Sequence, residues 1–67
     1  MLYSQLIISI KERRETLKIG QETLADISGV GLRTLKQLES GKGNPTIKTL
    51  QRLADVLGLE LKLDVKK

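Results

Sequence analysis

The chain has 67 residues, no cysteine, no histidine and a single tyrosine as its only aromatic residue, and twelve Lys and Arg against eight Asp and Glu leave a formal net charge of +4. A chain this short buries only about 60% of the surface its unfolded form exposes, and no disulfide or thiolate zinc site is there to supplement the core. Lacking histidine as well, it has neither the commonest general base nor the commonest metal ligand, so the composition argues against most enzymes and against a secreted disulfide scaffold and points to one small basic binding domain that uses a partner to complete its core.

Glycines and one proline divide the chain into short segments with mostly helical apolar spacing. The first is predicted as a helix from Ser4 to Leu17, with Leu6, Ile7, Ile10 and Leu17 on one face. The N-terminal apolar run Leu2–Ile10 is short, has no basic residue before it and no small-residue cleavage site after it, so it does not read as a signal peptide. No window approaches 18 apolar residues, which excludes a transmembrane span and makes a cytoplasmic protein the expectation. After a turn at Lys18, Ile19 and Gly20, a second helix is predicted over Gln21–Ser28, with Leu24, Ala25 and Ile27 apolar. Gly29 stands where a left-handed residue stops a helix. A third helix follows over Leu32–Ser40, with Leu35 and Leu38 on its inner face, and Gly41 to Pro45 read as a loop.

The fourth helix has the clearest 3.6-residue stripe: Ile47, Leu50, Leu53, Ala54 and Leu57, with Thr46 as N-cap and Gly58 beyond the end. Residues 59–65, LELKLDV, alternate apolar and charged without a break. That period of two predicts a half-buried β-strand. With no second strand to pair with, its expected partner is the same strand of a second subunit around a two-fold axis, through Leu59, Leu61 and Leu63. The whole chain, 1–67, is expected to be a single domain with its core in residues 4–58.

The informative stretch is Gln21 to Gly41. Two short helices joined by a tight glycine-containing turn suit a helix-turn-helix, in which a small residue (Ala25) allows close approach and Gly29 supplies the left-handed turn. Leu24, Val30, Leu35 and Leu38 fill the angle between the helices. Together with Arg14, Glu39, Gly41, Lys42, Asn44, Pro45, Leu53, Ala54, Leu57 and Gly58, these residues make the chain resemble the Cro and phage-repressor type of helix-turn-helix domain, the Xre family, over residues 6 to 58. The resemblance implies a mainly α, compact four-helix lambda-repressor-like bundle whose third helix lies in the DNA major groove. The terminal strand, where a fifth helix would be expected, resembles instead the HipB-like antitoxins, whose strands pair across a dimer.

What the resemblance implies for individual residues is specific. Leu32, Arg33, Lys36 and Gln37 are the expected base readers: arginine pairs with guanine, glutamine with adenine, and leucine touches a thymine methyl group. Gln21, Thr34, Lys42, Asn44 and Thr46 are the expected phosphate contacts. Arg14 and Glu39 match a structural ion pair between the first and third helices, while Lys11, Arg13 and Lys18 read as general basic surface. Gly31 takes a position where serine or threonine is usual. Asp26, Glu39, Asp55 and Glu60 form no spaced acid pair, no nucleophile has a base beside it, and no catalysis, metal or cofactor is expected.

The function this implies is a sequence-specific transcriptional repressor. It would bind double-stranded DNA as a homodimer, on a palindromic operator with half-sites about 34–36 Å apart. The alternative is an antitoxin that binds a partner toxin and represses its own operon; no membrane partner is expected in either case.

Overall fold

The computed structural model describes the backbone of residues 3–62 and the side chains of residues 5–62. Four α-helices follow in order: α1 (Tyr3–Thr16), α2 (Gln21–Ser28), α3 (Leu32–Glu39) and α4 (Ile47–Leu57). Helices α1 and α2 each pack on both α3 and α4. The core between them is aliphatic: Ile10, Leu24, Leu35, Leu38, Leu50, Leu53 and Leu57 are the largest fully buried side chains, with Ile7, Ala25, Val30 and Ala54 beside them. Burying each Leu or Ile contributes about 1.5–3 kcal/mol relative to exposure. This closely matched set of side chains, with no aromatic ring among them, holds the bundle.

The helix ends are set by local chemistry. At the start of α4, the Thr46 hydroxyl accepts a hydrogen bond from the Thr49 N–H at 3.1 Å, satisfying one orphan donor of the first turn. At the end of α2, Gly29 is left-handed at φ 75° and its N–H bonds the Ala25 carbonyl, turning the chain so that α3 can start three residues later. The end of α1 is different. Lys18 takes the left-handed position at φ 57°, without being glycine. Its N–H bonds the Glu15 carbonyl and the Ile19 N–H bonds the Arg14 carbonyl, the two-bond Schellman arrangement. Arg13, expected as general basic surface, is instead a structural residue. Its Nε–H donates to the Leu57 carbonyl at 2.9 Å and so caps the C-terminus of α4 with a cation.

Three further expectations need correction. Leu17 lies past the end of α1 and is 40% exposed, because the turn at Lys18 carries it off the apolar face. Ile47 is 71% exposed: as the first residue of α4 it projects at the helix end, beyond the surface that Leu50 and Leu53 bury. The terminal strand is the third. Among the described residues there is no β-strand, and residues 59–62 carry no regular structure; Leu63, Asp64 and Val65 lie outside the described residues. Period-two alternation gives a strand only when another backbone supplies the ladder bonds, and no other described segment does so. Leu59 and Leu61 instead lean, half-buried, on the core of their own chain.

Candidate nucleic-acid interface

The exposed face of α3 follows from its periodicity. Leu35 and Leu38 are fully buried, which turns Arg33, Thr34, Lys36 and Gln37 to solvent. Leu32 differs from these four: it is half-buried and packs against the core, leaving only part of its side chain for a ligand.

The loop after α3 is folded back on the helix. The Gln37 carbonyl accepts both the Lys42 N–H at 2.8 Å and the Ser40 hydroxyl at 2.9 Å. Gly41 is left-handed at φ 82° and reverses the chain, and a Cβ at Gly43 would come within 3.6 Å of the Gln37 side chain. The result is a cleft of about 150 Å³ lined by Thr34, Gln37, Leu38, Lys42, Gly43, Asn44 and Pro45. Four of the residues singled out in the sequence, Thr34, Gln37, Lys42 and Asn44, thus meet around one opening. Arg33 and Lys36 are on the same helix but not in the cleft lining. Thr46 is not in it either; its hydroxyl oxygen is engaged as the α4 cap.

A larger groove of about 510 Å³ lies in the crook between α2 and α3, lined by Glu22, Ala25, Asp26, Gly29, Val30, Gly31 and Leu32. Its two charged residues are both carboxylates, which repel a polyanion. Charge therefore favours the smaller cleft and its surroundings. Arg33, Lys36, Lys42 and Lys48 are all exposed, and among the described residues their side chains form no ion pair or hydrogen bond. Glu39 is the sole carboxylate in that stretch of chain, and Arg14 neutralises it. Sequence reasoning does not single out Lys48. Its position in the first turn of α4, directly after the loop, is the signal that identifies it.

Three more of the sequence-predicted residues, Arg14, Gln21 and Glu39, form a separate centre where α1, α2 and α3 meet. Arg14 Nε and Nη2 donate to the two carboxylate oxygens of Glu39 at 2.7 and 2.8 Å, and Arg14 Nη1 donates to the Ile19 carbonyl at 2.8 Å. The side chains are only 12% and 3% exposed. The hydrogen bond to Glu39 holds the Arg14 guanidinium charged above even the usual arginine range. Gln21, the first residue of α2, joins this centre by donating from Nε2 to Glu39 Oε1 at 3.0 Å. Among the described residues no cluster of His, Cys, Asp and Glu is placed to hold a metal ion, and no helix is long and apolar enough to cross a membrane.

Comparison with known proteins bears on the same region. A family model described as helix-turn-helix matches residues 10–63, which includes all of α2, α3 and α4. The chain is 36% identical over 58 residues to the cryptic phage CTXphi transcriptional repressor RstR of Vibrio cholerae serotype O1, covering 81% of this chain and 52% of the relative. The chain thus spans about half the length of that relative. With two eight-residue helices hinged at a left-handed Gly29, and with the family match running across them, the chain belongs to the helix-turn-helix family of the Xre type.

Proposed function

We propose that the chain is a DNA-binding transcription regulator that acts as a repressor, with α3 in the major groove and the α3–α4 loop on the phosphate backbone. The observation that carries this is the unengaged polar surface of α3 and its loop, with Arg33, Lys36, Lys42 and Lys48 exposed and no uncompensated carboxylate beside them in that stretch. Membership of the helix-turn-helix family and similarity to a phage transcriptional repressor support it. In this reading Arg33, Lys36 and Gln37 read base edges, and the exposed part of Leu32 meets a thymine methyl group. Thr34, Lys42 and Asn44 contact phosphates around the cleft, and Gln21 contacts one from the start of α2. Thr46 fixes where α4 begins by accepting from the Thr49 N–H, and its exposed hydroxyl keeps a hydrogen to donate to a phosphate.

The same reading takes the regulator as a homodimer on a palindromic operator, with half-sites about 34–36 Å apart. Leu59 and Leu61, half-buried and still partly accessible, are the described residues that a second copy would cover. The antitoxin alternative leans on a terminal strand that residues 59–62 do not form, and no other described residue favours it. Selection of bound duplexes from a random-sequence library tests the proposal. A symmetric enriched site with half-sites one helical turn apart is expected; a bound pool with no enriched sequence would count against specific regulation.

A further inference from the structure

We propose that Glu39 positions the Gln21 side chain for its phosphate contact, so that the Arg14–Glu39 pair shapes the DNA-facing surface as well as tying helices together. The proposal rests on the reading of Gln21 as a phosphate ligand.

The Gln21 amide has an acceptor end and a donor end, and Glu39 Oε1 lies 3.0 Å from its nitrogen. A carboxylate has no hydrogen to give, so only the NH2 end of the amide can face it. Glu39 therefore dictates which way the amide is turned. The carboxylate cannot swing to accommodate the opposite arrangement, because Arg14 holds one oxygen at 2.7 Å and the other at 2.8 Å. Arg14 is itself fixed to the Ile19 carbonyl, in the segment that leads into α2. All three groups are thereby referenced to the same helix start.

Two consequences bear on DNA. An amide nitrogen carries two hydrogens, and the bond to Glu39 uses one. The other diverges from it in the amide plane, at the start of α2 where Gly20 provides no side-chain cap and the first-turn N–H groups have no intrahelical acceptor. A phosphate oxygen there meets backbone donors and a side-chain donor that the bond to Glu39 leaves free, with the rotamer choice of Gln21 made during folding. Charge is the second consequence. A bare carboxylate next to a phosphate would repel it, and Arg14 removes that repulsion through a bidentate pair. Glu39 thus orients the amide without opposing the ligand.

The test is a double-mutant cycle on binding to a short duplex of mixed sequence at low salt, since a phosphate contact acts on any sequence. Gln21→Met is expected to weaken binding about tenfold. Glu39→Gln is expected to weaken it about threefold in the otherwise unchanged chain and to have no further effect alongside Gln21→Met. Equal losses from Glu39→Gln in both backgrounds would overturn the positioning role while leaving the phosphate contact standing. Unchanged binding by Gln21→Met, or no duplex binding at all, would overturn the phosphate reading and the positioning role with it. Thermal unfolding establishes that each variant is folded. If Glu39→Gln does not fold, the unmodified chain decides by nitrogen–proton NMR of the Gln21 side chain. One N–H resonance should stay protected and unmoved on adding the duplex while the other shifts. Movement of both would show that Gln21 leaves Glu39 on binding and would contradict the proposal.

Discussion

Two polar regions of this small bundle stand in opposite conditions. Where α1, α2 and α3 meet, Glu39 bonds both the Arg14 guanidinium and the Gln21 amide, and Arg14 also bonds the Ile19 carbonyl; the Arg14 and Glu39 side chains are almost out of reach of water, with Gln21 half-buried beside them. Across α3 and its following loop, Arg33, Thr34, Lys36, Gln37, Lys42 and Asn44 face solvent, and among the described residues their side chains bond to nothing. The difference separates polar groups that specify the fold from polar groups left for a partner. Among the described residues no buried side-chain nitrogen or oxygen lacks a partner, so the Arg14–Glu39 pair is complete without a ligand, and within the first region the second Gln21 N–H is left over for one. The second kind gains its bonds only when something binds.

Substitutions in the two regions should therefore act on different quantities. The largest effect is expected from Arg14→Ala, which leaves the nearly buried Glu39 carboxylate without its cation and costs about 3–5 kcal/mol. A domain of this size has only a few kcal/mol of stability, roughly 0.05–0.15 per residue, so urea titration should find this variant largely unfolded. Arg33→Ala should do the reverse: unfolding is unchanged within about 0.5 kcal/mol, while discrimination at one base pair of the selected site falls by about 1–3 kcal/mol in competition binding. A stability loss comparable to that of Arg14→Ala would place Arg33 in the scaffold.

Thr46→Ala sharpens the boundary between the two regions, since Thr46 is the cap that the sequence predicts for α4 and is also, by resemblance, an expected phosphate contact. Loss of the bond to the Thr49 N–H should lower stability by about 1 kcal/mol in a thermal melt. Lys18→Gly should give the smallest change, and in the opposite direction. A left-handed lysine at φ 57° is strained, and glycine there should raise stability by about 0.5–1 kcal/mol after its greater unfolded-state entropy is counted. No gain in the unfolding midpoint would mean that the Schellman bonds already hold Lys18 without cost.

The positions of these features in the chain explain how much the sequence can reveal. The four helices are legible because each carries its own apolar period and its own stop, as in the Leu50–Leu57 stripe before Gly58 or Leu24 and Ala25 before Gly29. The inward and outward faces of α3 are legible for the same reason. The Arg14–Glu39 pairing comes from family resemblance, since 25 residues separate its members. Contacts made across the fold are not legible in local pattern at all. Arg13 caps α4 from 44 residues away, and Gln21 reaches Glu39 across two helices. Lys18 reads as part of a turn, but residue type gives no sign that a lysine takes the left-handed position. The alternation in residues 59–65 is a local pattern whose meaning depends on a neighbouring backbone, and within residues 59–62 Leu59 and Leu61 settle on the core they already adjoin.

The central claim is that the unengaged cations on α3 and its loop bind the phosphate backbone. The most direct measurement is duplex affinity against salt concentration for the chain and for Lys42→Ala. Affinity should fall linearly on logarithmic axes, and removal of Lys42 should reduce the slope by about 0.9, the release expected for one phosphate contact. A slope identical in the two proteins would remove Lys42 from the interface. An affinity independent of salt would contradict the assignment of this surface to DNA.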